Sequence, residues 1–511
     1  MKNNFSRRDF LRLTGMASLG AALPSSLRYL RPIQPAPAGQ KNVLVVVFDA
    51  FSAYNMSLYG YTRKTTPNID KLAQRAIVYH NHFAASNFST PGTASLLTGV
   101  LPWLHRALSL DDTVDENYSN RNIFSAFNDH YRIAYSHNPL VTTFLDQFAS
   151  DLDEYVPLNQ LLITSDGLID TLFKNDPAAA TIGWSRVMKK EGYGTSYSLV
   201  LSDIYKFFRD NKIQDIAPLF PLGLPSVRGD NYFTLEQAVD WLGGQITKAP
   251  QPFLGYFHFM PPHNPYNTSR DFYDRFQGDG LKWIKKPPDI FTPHSLGGYK
   301  YMMESRKKYD EFILYVDDQF RILMDRLESS GVLKDTWVVL TSDHGELFER
   351  GTVGHGTAAL YQAVVRIPLI IFEPGRTSRT DIHSLTSAVD VLPTLLQVVK
   401  GQKADWSDGT ILPPFSSESP DPDRKIYAMK VVIPDKRAPI TNATVTQVQG
   451  DYKLIYYLGY EELDAKERML LYDIGKDPEE LNDLYPSQQV IGDKLLADLK
   501  NKLAEMNKPY L

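Results

Sequence analysis

Cysteine is absent from all 511 residues, which excludes disulfides, thiolate metal sites, a cysteine nucleophile and a lipid anchor on cysteine. A surplus of one charge is missing as well. The 54 Lys and Arg stand against 59 Asp and Glu, a formal net charge of -5, so the balance gives no basis for a sequence-independent grip on nucleic acid phosphates. No internal repeat is present, and no low-complexity tract apart from a stretch rich in Pro, Ser and Asp at 404–424. No apolar run is long and uncharged enough to span a bilayer stably, which excludes an embedded transporter. What is present is the material of a folded core. Apolar residues make up 43% and charged ones 22%, with 29 Tyr and 26 Phe, a composition that rules out a disordered or fibrous chain. The length predicts two packed domains with additional segments.

The first forty residues read as an address. Arg7-Arg8 is a paired-arginine start; a mildly apolar, small-residue stretch from Leu11 to Leu23 follows, and Ala36-Pro37-Ala38 is a small-x-small cleavage site. That order is the layout of a twin-arginine signal peptide over residues 1–38, the route that carries folded proteins through the Tat export machinery. Removal of the segment takes six basic residues and one acidic residue with it, leaving 48 and 58, a net charge of -10. The expected mature protein is acidic, without a transmembrane anchor, and periplasmic or extracellular.

Apolar runs then alternate with helical segments, the rhythm of a doubly wound α/β fold with a mostly parallel sheet. Asn42 to Phe48 (NVLVVVF) is the β-branched run of a strand buried on both faces, ending at Asp49. Phe253 to Phe259 (FLGYFHF) ends before Pro261-Pro262-His263, and Trp337 to Thr341 (WVVLT) before Ser342-Asp343-His344-Gly345. Each strand delivers a polar residue at its carboxyl end, where open α/β sheets bind ligands. The strand rhythm weakens between about 150 and 245, which reads as an insertion in a catalytic domain over 39–403. After the 404–424 linker, residues 425–511 form a smaller C-terminal α+β subdomain, with a strand at Tyr452 to Tyr457 and a closing amphipathic helix at Ser487 to Met506.

Residues 87 to 99 (NFSTPGTASLLTG) carry a second signal. Pro91 fits a first helical position, Thr90 its cap and Gly99 the residue past its end, so a helix is expected to start at Pro91, directly on top of Ser89. A helix N-terminus offers free backbone N–H groups and a positive dipole end, which favour an anionic ester beside a hydroxyl nucleophile.

With these segments the chain resembles the sulfatase family of the alkaline phosphatase superfamily. VVVFDAFSAYNMSLYGYTRKTTPNIDKLA is similar to the family's opening strand and metal-binding segment, and STPGTASLLTG to its nucleophile signature C/S-x-P-S-R-x-x-x-L-T-G. HFMPPHNPY, TSDHGE and LYDIGKDPEELNDL follow in the family's order. The resemblance implies an ester hydrolase with Ser89 at the nucleophile position. One divalent cation (Ca, Mg, Mn or Zn) would be held by Asp49, Ser89, Asp343 and His344, and His263 and His355 would hold ester oxygens or protonate the leaving group. Asn138 and Thr90 are expected to contact substrate, a small molecule or a glycan or lipid ester. His105 and His258 are read as structural.

Departures from the pattern bear on the substrate. Gly92 and Thr93 replace the signature's Ser and Arg, Ala50 replaces the second Asp of an Asp-Asp pair, His344 replaces the Asn of an Asp-Asn pair, and Tyr135-Ser136-His137-Asn138-Pro139 stands where G-K-W-H supplies a Lys. Typical sulfatases convert the first signature residue to formylglycine; here Ser89 is expected to stay plain serine, as in the superfamily branch that attacks phosphate and phosphonate esters. Two alternatives share the same residues: a transferase of phosphoglycerol- or phosphoethanolamine-type headgroups, and a non-catalytic binding protein on this scaffold. Replacing Arg7 and Arg8 together by Lys is expected to strand the precursor in the cytoplasm, measured by fractionation; undiminished export would remove the twin-arginine assignment.

Overall fold

A strand buried on both faces needs a layer of helices on each side, and β1 (Asn42–Phe48) has both. Leu44, Val46 and Phe48 enter one apolar cluster, and Val43, Val45 and Val47 enter another on the opposite face. Each such side chain contributes roughly 1.5–3 kcal/mol by leaving water. The computed structural model describes residues 39–164, 206–291, 298–419, 421–432 and 434–511. The expected export signal, the Ala36-Pro37-Ala38 site and residues 165–205 of the expected insertion lie outside the described residues.

The further strands are β2 (Ile77–Phe83), β3 (Tyr131–Ser136), β4 (Glu154–Tyr155), β5 (Phe253–Phe259), β6 (Thr336–Thr341), the hairpin β7 (Leu347–Glu349) and β8 (Thr352–Gly354), β9 (Leu369–Phe372) and β10 (Thr380–Ser387). The large sheet runs β10-β2-β9-β6-β1-β5-β3-β4. It is mostly parallel, with β9 antiparallel to β2 and β6. One face carries the helices Leu235–Ile246 and Gly298–Ser330. The other carries Ser89–Thr98, Pro139–Gln147 and Val391–Lys400. This is the doubly wound α/β architecture. Register does the positioning: Val47 of β1 lies opposite His258 of β5 and Thr341 of β6, so the carboxyl ends of three neighbouring strands are level.

The C-terminal part is a second sheet, β11 (Lys425–Val431), β12 (Ala443–Gln449), β13 (Tyr452–Leu458) and β14 (Glu467–Asp473), antiparallel throughout. Helix Gln489–Asn507 closes it with Leu495, Leu496, Leu499 and Leu503. The tail strand expected at Tyr452 to Tyr457 extends one residue further, and the closing helix begins at Gln489 rather than Ser487. Met429 of β11 receives the hydroxyl of Ser86 on its carbonyl at 2.7 Å and donates its N–H to Ala85 at 2.9 Å, which ties this sheet to the segment ahead of Ser89. Among the described residues no helix is long and apolar enough to cross a membrane.

His137 follows β3 and is packed as an apolar ring, stacked on Phe233 at 4.2 Å with both ring nitrogens buried and unpartnered. Burial pushes its pKa down to about 3. An unfolded histidine titrates near about 6.5, so between those pH values unfolding takes up a proton and stability falls as pH drops through the window. His137→Phe keeps the stack and removes the proton acceptor. The urea midpoint of the variant is expected to fall less than that of the native chain between pH 7.5 and pH 4; equal losses would show that His137 does not contribute to acid lability.

Candidate functional site

Asp49 leaves the end of β1 with its carboxylate fully buried. The chain must turn at once, and Ala50 takes φ 58°, a left-handed conformation costing a residue with a Cβ about 1–2 kcal/mol. The turn is held: the Ala50 N–H donates to Asp343 Oδ1 at 3.2 Å, and its carbonyl accepts from the Tyr309 hydroxyl at 2.6 Å. Asp343 Oδ1 also accepts the His344 N–H at 3.0 Å, which leaves Oδ2 facing inward.

Two carboxylate oxygens here, Asp49 Oδ1 and Asp343 Oδ2, are buried without any hydrogen-bond partner. Buried anionic oxygens are costly unless a cation or donor meets them. Asp49, Asp343 and His258 each offer an atom within 4.8 Å of the others, a set of two hard carboxylates and one imidazole that fits a divalent cation. Burial would raise the Asp49 carboxyl, but the neighbouring His263, His258 and His344 outweigh it and hold it well below the usual range. For His258, burial is outweighed by Asp343 and Asp49, and its pKa is raised. His258 Nε2 lies 3.1 Å from Asp49 Oδ2, and Nδ1 meets the Tyr256 hydroxyl at 3.1 Å. The structure therefore moves His258, expected to be structural, into the centre.

Ser89 opens the Ser89–Thr98 helix, two residues earlier than Pro91 suggests. Its Oγ accepts from Asn138 Nδ2 at 2.9 Å and lies 3.4 Å from Asp49 Oδ2 and 3.3 Å from His344 Nε2. Asn138 donates to Asp49 Oδ2 as well, at 2.5 Å, while its Oδ1 caps the Pro139–Gln147 helix through the Leu140 N–H. Thr90 is corrected on two counts. Its hydroxyl donates to the carbonyl of the exposed Leu110 at 2.7 Å, with no bond to the residues of the centre, and it caps no helix, because Phe88 occupies the N-cap without a side-chain bond.

His344 Nδ1 lies 2.9 Å from the Gly345 carbonyl, which as donor leaves Nε2 as the acceptor toward Ser89. Its Nε2 is also 3.5 Å from Asp49 and 3.6 Å from Asp343. The ring of His355 lies 4.3 Å from that of His344 and 4.9 Å from that of His263. The two neighbours titrate in opposite directions. Burial pushes His344 down, whereas burial of His355 is outweighed by Glu346, whose Oε1 meets His355 Nδ1 at 2.8 Å, and its pKa is raised. His263 stands at the edge, partly exposed. Asn87 binds the carbonyls of His355 and Thr357 at 2.8 and 2.7 Å and so fixes that loop to the nucleophile segment.

Residues 41–401 match the sulfatase family and residues 356–509 the C-terminal domain of N-sulphoglucosamine sulphohydrolase. The chain belongs to the sulfatase family, ester hydrolases of the alkaline phosphatase superfamily. Among individual proteins it is similar to the choline-sulfatase of Rhizobium meliloti, 24% identical over 473 residues, 87% of this chain and 82% of that one. The multifunctional alkaline phosphatase superfamily protein PehA of Trinickia caryophylli is 23% identical over 426 residues, 75% of this chain and 78% of that one. In fold it is similar to the phosphonate monoester hydrolase of Agrobacterium radiobacter, with a TM-score of 0.65 at 18% identity over 92% of this chain and 96% of that one.

Gly92 has a steric reason. A Cβ at this position would stand 2.4 Å from the carbonyl oxygen of Asp343, so the helix rests directly on the strand end that presents that carboxylate. Gly92→Ser restores the family residue and should force the two apart, at about 1–3 kcal/mol of overpacking. Lower thermal stability together with weaker metal retention is expected; a variant matching the native chain in both would show that the helix can shift freely.

Proposed function

We propose that the chain is an exported, metal-dependent hydrolase that cleaves sulfate, phosphate or phosphonate esters through an unmodified Ser89, with Asp49, Asp343 and His258 holding one divalent cation. The observation that carries this is the position of Ser89 Oγ: at a helix N-terminus, 3.3 Å from His344 Nε2 and beside two carboxylate oxygens without a hydrogen bond. The chemistry that a divalent cation supplies at such a set is charge neutralisation and a lowered hydroxyl pKa.

The residues then take separable roles. Ser89 Oγ attacks sulfur or phosphorus in line and forms a covalent ester, its proton passing to His344 Nε2. Asn138 Nδ2 fixes the attacking oxygen. The departing oxygen takes a proton from His355, whose pKa Glu346 raises, with His263 on the outer side of the ester. Neighbouring imidazoles whose surroundings push them apart, His344 down and His355 up, are suited to base and acid work respectively. Water next cleaves the serine ester, giving a proton to the now neutral His355 while His344 returns its proton to the released Ser89 Oγ. Lys430 reaches over the Phe88 ring at 3.9 Å with no ion pair among the described residues, and supplies positive charge beside the helix start where Thr93 replaces the signature Arg. The formylglycine signature's Ser and Arg are absent, with Gly92 and Thr93 in their places, and on that ground phosphate and phosphonate esters come ahead of formylglycine-type sulfate chemistry. A choline-sulfatase and a phosphonate monoester hydrolase among the relatives bracket the substrate range.

The test combines mass, metal and turnover. The peptide spanning Asn87 to Gly99 is expected at the mass of plain serine; a loss of two hydrogens would identify formylglycine and return the chain to ordinary sulfatase chemistry. Ser89→Ala should abolish turnover of aryl phosphate, phosphonate and sulfate esters while metal stays bound. Asp343→Ala and His258→Ala should each lose the metal. Stoichiometric metal in either would place the cation elsewhere.

A further inference from the structure

A pocket of about 230 Å3 is lined by residues none of which belongs to the catalytic centre. Ligand sites for drug-sized molecules usually run from about 300 to 1,000 Å3, so this one suits a small group. Its position follows from β1: Tyr54 lies five residues beyond Asp49, and the N–H of Ala53 binds the carbonyl of Arg366 at 3.1 Å.

Arg306, on the Gly298–Ser330 helix, is the residue that needs explaining. Its guanidinium stands over Trp283 at 4.7 Å, Tyr61 at 5.0 Å and Tyr54 at 5.8 Å, and Nε is buried without a partner. Among the described residues no hydrogen bond or ion pair reaches it. A guanidinium has five donors and no acceptor, and a buried one is ordinarily paired. The carboxylates whose charge acts on it make their direct bonds to other groups, although Glu349 keeps one buried oxygen without a hydrogen bond. Asp310 holds Arg63 at 2.8 Å and Tyr61 at 2.5 Å, while Glu349 and Glu479 hold Lys286 at 2.7 and 2.8 Å. Arg366, on the same wall, places Nε on the His80 carbonyl at 2.9 Å and has no carboxylate partner among the described residues. Lys282 stands exposed at the rim, also without an ion pair among the described residues. The pocket thus presents three cations without a direct ion pair among the described residues, with Asp310 and Glu349 acting on Arg306 only through space, and two of the three are planar forks of the kind that grip oxyanions in pairs of hydrogen bonds. Tyrosine faces beside them suit the apolar face of a small ring.

We infer that this pocket is a second anion site, which takes a sulfate or phosphate oxyanion, free or carried on a unit about the size of a sugar ring. The guanidinium of Arg306 meets the oxyanion against the aromatic wall, Arg366 meets it from the side, and Lys282 draws it in. The inference stands whether or not Ser89 is the nucleophile.

Calorimetric titration of the full metal-loaded protein tests it, with sodium sulfate in one arm and N-acetylglucosamine 6-sulfate in the other. The native protein is expected to take one more equivalent of anion than Arg306→Met, whose remaining binding belongs to the catalytic centre. Should Arg306→Met fail to fold, Lys282→Glu at the exposed rim carries the test: one class of sites should weaken by about tenfold, with turnover of a small aryl ester within about twofold of native. A second class filled by both compounds supports a site for the free oxyanion. A second class filled only by the sulfated sugar supports recognition on a carrier. A single class in the native protein with both compounds, or unchanged binding in the folded variants, overturns the proposal.

Discussion

Two carboxylates that would repel each other are held side by side in the interior, and much of the molecule is arranged to keep them there. Asp49 and Asp343 leave adjacent parallel strands at the same level, and each presents one oxygen that no protein donor satisfies. In a low-dielectric setting that arrangement opposes folding unless positive charge is near. Around it stand His258 from the neighbouring strand, His344 from the strand end itself and the amide of Asn138. The left-handed turn at Ala50 and the Tyr309 hydroxyl prevent the chain from relaxing away. Local strain of this sort persists only where surrounding structure over-determines it, as it does at functional sites.

The layers around this centre were largely legible in the sequence, for a physical reason. A strand buried on both faces must be apolar at every position, so NVLVVVF and WVVLT announce themselves and their polar ends mark the site. The start of the Ser89–Thr98 helix was less determinate. Proline is tolerated throughout a first helical turn because none of those N–H groups has an intrahelical partner, so Pro91 left the boundary open by two residues. With the helix beginning at Ser89, Thr90 lies inside its first turn, and its hydroxyl is taken by the Leu110 carbonyl.

His258 was missed because it sits inside an aromatic strand, FLGYFHF, where a lone imidazole looks like one more ring. Register carried the signal. Once β1 and β5 are paired, His258 falls opposite Val47, two residues before Asp49, and an imidazole there has little to do but meet that carboxylate. Gly92 was legible as a departure and not as a cause. Only the approach of the helix to the Asp343 carbonyl shows that the missing side chain makes room for the centre.

Asn138 holds two duties in one carboxamide: its oxygen caps the Pro139–Gln147 helix and its nitrogen grips both Asp49 and Ser89. Helix caps ordinarily accept Asp as readily as Asn. Here that exchange is closed, since an Asp would keep the cap but set a third carboxylate against Asp49 and lose the donor to Ser89. Serine would cap and fall short of the other two atoms. The position therefore has an alphabet of one letter, set by the overlap of a rule of helix termini with a demand of the site, although neither alone would narrow it so far.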